Sequence, residues 1–221
     1  MTQSISGESA TNFWQTDLID LIFSPSQQQD PFQTQDADLL HQFGFIPGLK
    51  ELLMLRQVHA LEHATVWVLS ENAKSVGNAS RARREDTDLG GMSTERGFYL
   101  YGQVDSEELK RAVQVALRRI TSGEWDLAVH PRCGTNLSVG MLLTAGFAFG
   151  ASMVLPRDPI GQMIGLGLAA ATAAHITPDL GSMAQRYITT AIPFNLAVDS
   201  IQLLPDPLER SAHFVQVRWV D

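Results

Sequence analysis

The run GTNLSVGMLLTAGFAFGASMVLP, residues 134–156, carries no charged side chain. Leu137 to Leu155 within it is nineteen residues, enough at about 1.5 Å per residue to cross a hydrocarbon core about 30 Å thick. Pro156-Arg157-Asp158-Pro159 makes a tight turn, and a second uncharged run follows from Pro159 to Pro178, richer in Gly and Ala and carrying Gln162 and His175. Two four-residue spacings, Gly146 with Gly150 and Gly161 with Gly165, suit the close approach of two helices. The expectation is a transmembrane helical hairpin at residues 136–178. A buried hairpin inside a soluble bundle is the competing reading.

Basic residues set the orientation. Arg118, Arg119, Arg132 and Arg186 lie outside the hairpin turn, which holds only Arg157 beside Asp158. By the positive-inside bias both hairpin ends face the cytoplasm, with the polar domain on that side of an integral membrane protein.

Two polar clusters sit on that side. His59 and His63 in Val58-His59-Ala60-Leu61-Glu62-His63 are one helical turn apart, with Glu62 beside them. This H-x-x-E-H pattern can hold a divalent ion between two imidazoles with a carboxylate next to a metal-bound water. The surrounding run, Pro47 to Ser70, is apolar on nearly all sides and is expected to be a buried helix, in which these three residues need partners. The second cluster, His130-Pro131-Arg132-Cys133-Gly134-Thr135-Asn136, directly precedes the first uncharged run. It supplies His130 as the first choice of third ligand and Cys133 as the next. Zinc is the expected ion, since imidazole and thiolate both suit it and a catalytic site keeps one position open. Glu62 would act as the base and Arg132 would stabilise negative charge on the substrate. The bland alternative is a hydrogen-bonded His-Glu-His cluster that holds its helix in place. His175 stands alone in the second apolar run, and His41 and His213 have no company in the sequence.

The rest of the chain frames these clusters. Residues 1–37 form an acidic tail expected to be disordered, rich in Gln, Ser, Thr and Asp. One apolar island within it, from Phe13 to Phe23, suits a protein partner, a lipid surface or this protein's own body. Before Lys50 there is no Lys or Arg, which argues against the usual N-terminal targeting signals. Glu71 to Arg96 reads as a solvated loop, with a charge run at Ser80 to Asp86. Gly97 to Val104 reads as a strand. Asp105 caps a helix that runs to about Thr121, and Leu127 to His130 reads as a further strand. If the two strands are parallel neighbours, their connection is right-handed. Met183 to Ile201 reads as a peripheral helical region broken by Pro193, and His213 to Val220 as a strand joining the sheet that holds Phe98.

The fold class is therefore α+β: a small strand-helix-strand domain packed on the helix carrying H-x-x-E-H, plus the two-helix hairpin. Residues 38–135 form the domain with the metal site, and residues 179–221 return to it. The 221-residue chain has a net charge of −8, which argues against nucleic acid as a partner, and its single cysteine excludes an intrachain disulfide. Membrane lipid is the expected surroundings, and the sequence names no substrate.

The segments His-Ala-Leu-Glu-His and His-Pro-Arg-Cys-Gly-Thr-Asn, in this order, resemble those of an uncharacterised family found in cyanobacteria. Both are also similar to the pair H-G-A-E-H and H-P-R-C-G-T-S of the YqhQ-like bacterial membrane proteins, described as predicted metal-dependent enzymes. The closer resemblance covers Leu39 to the C-terminus; the other covers the motifs and the apolar run after them. It implies a shared site at His59, Glu62, His63, His130, Arg132 and Cys133. Leu61 and Asn136 depart from the more distant pattern at positions that are not proposed ligands. These features give two expected functions: a zinc-dependent hydrolase-like site at the membrane surface, or a non-catalytic membrane assembly or scaffold protein.

Overall fold

The computed structural model describes residues 35–75, 89–155, 158–204 and 212–220. Helix α1 (Gln35–Phe43) leads through a turn into the long α2 (Leu49–Ser75). Gly48 makes that turn at φ +82°, in the left-handed region that favours glycine. Strands β1 (Gly90–Thr94) and β2 (Gly97–Tyr101) form a hairpin, followed by helix α3 (Ser106–Thr121) and a 3₁₀ turn (Trp125–Ala128). Helices α4 (Gly134–Val154) and α5 (Pro159–Ala184) come next, the latter running into a π turn (Gln185–Thr189). Strands β3 (Leu196–Leu204) and β4 (Ala212–Trp219) close the fold.

The four strands form one antiparallel sheet in the order β1-β2-β4-β3. Alternation decides which face is buried. Phe98 and Leu100 of β2, with Val215 and Val217 of β4, point into a core shared with α2 and α3. Tyr99 and Phe214 pack on the opposite face, with ring centroids 4.7 Å apart. Helix α3 offers Leu109, Val113, Ala116 and Ile120 to the core. Its N-cap is Asp105, whose carboxylate accepts from the backbone N–H groups of Glu107 and Glu108, as the sequence predicts.

Helix α2 buries Leu53, Val58, Ala60, Leu61, Ala64, Val68 and Leu69. It is not enclosed throughout as expected, because Leu52 and Leu55 near its start are exposed. Helices α4 and α5 pair as the expected hairpin and are each long and apolar enough to cross a membrane. The seam between them is a row of small residues on α5, with Gly165, Ala169, Ala173 and Gly181 buried at four-residue multiples. A side chain at Gly165 would overlap Leu155, and one at Gly181 would overlap Asn136. Gly146 and Gly150 have no such neighbours, so the expected role of that pair in helix contact is not met. No residue of α4 is buried; Leu137, Met141, Leu142, Phe149 and Met153 are all exposed. The soluble-bundle reading would require that apolar surface to be covered.

Three local expectations change. The segment expected to be a strand, Leu127 to His130, is instead the end of a 3₁₀ turn, so no strand follows α3 directly and the crossover rule does not apply. The carbonyls of Ala128 and Val129 accept from side chains of α2, rather than from a neighbouring strand. The expected helical region from Met183 to Ile201 stops at Thr189, and residues 196–204 pair with β4. Pro193 has no N–H to continue a helix, and the chain after it enters the sheet. The expected loop from Glu71 to Arg96 contains the end of α2 and all of β1; its charge run lies outside the described residues, as do residues 1–34 of the tail with its apolar island, whereas residues 35–37, expected to be disordered, open α1 and Asp36 is buried. The C-terminal strand pairs with β2 as expected.

Candidate metal centre

On α2, His59, His63 and Trp67 follow at four-residue intervals and form one stripe. Each ring donates an N–H to a backbone carbonyl of a different loop residue. His59 Nδ1 is 3.0 Å from the oxygen of Thr189, His63 Nδ1 is 2.6 Å from that of Ala128, and Trp67 Nε1 is 3.0 Å from that of Val129. Each neutral histidine with its proton on Nδ1 keeps Nε2 as a free lone pair, the state a metal ligand needs.

The carbonyls are available because both loops leave regular structure there. Thr189 ends the π turn, which Thr190 N–H closes onto Gln185 O at 3.0 Å. Arg56 secures the same segment, donating from Nη2 to Thr190 O at 3.1 Å.

Cys133 is the N-cap of α4, and its sulfur accepts from Thr135 N–H. The cap turns the thiol towards α2, where Sγ lies 3.3 Å from His59 Nε2. One ligand atom from each of His59, His63 and Cys133 lies within 4.8 Å of the others. Burial pushes the Cys133 thiol up, but hydrogen bonding and charge from the His63 ring when it is protonated, with the N–H of Thr135, outweigh it, and the net shift is downward. The shortest ring contact is to His59, whereas the downward pull comes from His63; a thiol between two imidazoles accounts for both.

Of the two expected third ligands, Cys133 is the one grouped with His59 and His63. His130 lies outside the group, its ring centroid 5.7 Å from that of His63 and 5.1 Å from that of Trp67. His130 Nδ1 accepts the backbone N–H of Arg132, and the backbone N–H of His130 donates to Gln185 Oε1 at 2.8 Å. These bonds shape the turn that presents Cys133. His175 is exposed on α5, apart from this group.

Glu62 is buried beside the two histidines. Ser93 Oγ donates to its Oε2 at 2.5 Å. A side chain at Gly91 would overlap the same carboxylate, so β1 carries Gly where Glu62 passes. Burial raises the Glu62 pKa; the Ser93 hydrogen bond and nearby His59 oppose this without cancelling it. A raised carboxyl lies closer to neutrality, where proton transfer is most effective.

His59, Glu62, His63, Ser93, His130 and Cys133 line one cleft of about 670 Å³, together with Arg56 and Arg132. That size is in the range that accepts a small organic molecule. Sequence reasoning missed Trp67, Gly91, Ser93, Gln185 and the two accepting carbonyls. Trp67 alone had a visible signal, as the next position on the histidine stripe.

The comparisons give family membership without an activity. The family model described as "Domain of unknown function (DUF6391)" matches residues 54–201, which include both clusters. An uncharacterized protein of Picosynechococcus sp. strain PCC 7002 is 56% identical over 191 residues, covering 86% of this chain and 92% of its own length. No solved structure matches the chain.

Proposed function

The chain belongs to the DUF6391 family, which has no stated activity, and from the site we propose a zinc-dependent, hydrolase-like centre at the cytoplasmic surface of a membrane. One observation carries this reading: two imidazoles fixed through Nδ1 turn their free Nε2 atoms towards the Cys133 thiol, beside a buried carboxylate in an open cleft. His59, His63 and Cys133 are the proposed ligands. Three ligands in a cleft suit a catalytic centre, whereas a structural zinc site is normally closed by four. This difference favours an enzyme over the scaffold reading. Similarity of the motifs to YqhQ-like membrane proteins points the same way.

When bound, the ion would supply a Lewis acid and lower the pKa of a coordinated water. The protein's residues do the rest. Glu62 accepts a proton and is held in place by Ser93. Arg132, at the cleft wall, binds negative charge on the substrate. The two accepting carbonyls keep both histidines in the ligand tautomer. Helices α4 and α5 hold the site at the bilayer, since the exposed apolar face of α4 needs an apolar solvent.

Elemental analysis of detergent-purified protein tests this reading. Wild type should carry about one zinc per chain and His59→Ala/His63→Ala none. A folded wild type without metal would return the scaffold reading to first place.

A further inference from the structure

Leu52, Leu55, His59, Glu62 and Val66 recur at alternating spacings of three and four, and all five line the cleft. They form one face of α2 that turns from apolar at its start to polar at the candidate ligands. Leu52 is 54% and Leu55 37% exposed, though the same helix buries Leu53, Leu61 and Leu69. The facing wall carries Ile188, which is 67% exposed, followed by Thr189. Ile188 belongs to the continuous helical run from Pro159 to Thr189, which is long and apolar enough to cross a membrane. An apolar mouth thus continues a candidate membrane span directly into the candidate centre.

The charge in the cleft has a defined sign. Two guanidinium groups, Arg56 and Arg132, line it against one carboxylate, Glu62, although the chain carries net charge −8. Arg56 Nε is buried with no hydrogen-bond partner among the described residues, while its Nη2 donates to Thr190 O.

We infer that the cleft takes a membrane-resident anionic amphiphile, with its chain between Leu52, Leu55 and Ile188 and its head among Arg56, Arg132 and the metal ligands. This names a substrate class for the proposed centre and rests on that reading. An extended peptide beside β1 would also reach the cleft, but it would leave the leucines and the paired arginines without a role.

The test uses the full chain, loaded with cobalt(II) as a visible substitute for zinc, in phosphatidylcholine nanodiscs. Inorganic phosphate and dodecyl phosphate are titrated against the cobalt spectrum. Leu52→Gln/Leu55→Gln should weaken dodecyl phosphate by about tenfold, through lost apolar contact, and leave inorganic phosphate unchanged. Ile188→Gln should act in the same direction from the other wall, and Arg132→Gln should weaken both ligands. Equal dodecyl phosphate affinity in wild type and both chain-wall variants, with normal cobalt loading, overturns the amphiphile and leaves the metal reading standing. Tighter binding of a phosphonate-capped hydrophobic dipeptide than of dodecyl phosphate overturns it in favour of a peptide. Absence of cobalt binding removes the metal reading, and the amphiphile with it.

Discussion

His59 Nε2 and Cys133 Sγ lie 3.3 Å apart across 74 residues of chain. Bond lengths of about 2.0 Å to nitrogen and 2.3 Å to sulfur put the two donors of a tetrahedral zinc site about 3.5 Å apart. This pair is thus close to ligand spacing, and the widest pair of the trio, at most 4.8 Å, needs to close by no more than about 1.5 Å. Cys133→Ser should therefore reduce zinc affinity by at least about tenfold, whereas His130→Ala should keep full stoichiometry. Competition with a chelator reads both. Loss of metal in His130→Ala with retention in Cys133→Ser would assign the third ligand to His130.

Ser93 of β1 donates to the Glu62 carboxylate, and a side chain at Gly91, two residues earlier on the same strand, would overlap that carboxylate. Glu62→Gln keeps the volume and the Ser93 contact but cannot accept a proton. It should leave folding and metal content unchanged and abolish any hydrolytic activity. Gly91→Ala should cost about 1–3 kcal/mol by overpacking, seen as a lower melting temperature. Loss of metal in Glu62→Gln would make the carboxylate a structural partner of the histidines.

The legible parts of this protein were those fixed by local chemistry. An uncharged run of nineteen residues has few alternatives to an apolar helix, and His59 with His63 needs only helical periodicity to share a face. Asp105 was legible as a cap for the same reason. Cys133 could not be ranked above His130, because a loop residue points nowhere until α4 begins and its cap turns the thiol inward. Strand β1, Gly-Gly-Met-Ser-Thr, has weak strand preference; its conformation comes from pairing with β2 and from the space Glu62 requires. Strand β3 is apolar enough to read as helix, and only its pairing with β4 sets its period. His213, which has no partner in the sequence, meets Ser106 only through the sheet.

Gln185 joins the hairpin to the site. Its side chain is fully buried, accepts the His130 N–H at 2.8 Å and donates to Asn136 Oδ1 at 2.8 Å. Gln185→Leu leaves the His130 N–H unsatisfied in a dry position and should cost about 1–3 kcal/mol. Because the π turn starts at Gln185 and ends at the carbonyl that holds His59, zinc affinity should fall with it, by about tenfold or more. Melting temperature and chelator competition measure the two effects. Unchanged values for both would mean that the turn is held by Arg56 alone.

His213 provides a pH test independent of the metal centre. The ring is 2% exposed on β4, its Nε2 lies 2.9 Å from Ser106 Oγ, and its Nδ1 has no hydrogen-bond partner among the described residues. Protonation would place a charged ring in the core, so burial lowers its pKa from the ordinary 6.5, with Asp105 opposing in part. Below 6.5 the unfolded chain therefore takes up more protons than the folded one, and acid favours unfolding. The contribution is complete above that pH and is lost as pH falls through the lower folded value. Wild type should lose melting temperature between about pH 6.5 and 5 more steeply than His213→Gln, whose side chain cannot titrate there. Parallel curves for the two proteins across that window would show that His213 takes its proton equally well in the folded and unfolded chain.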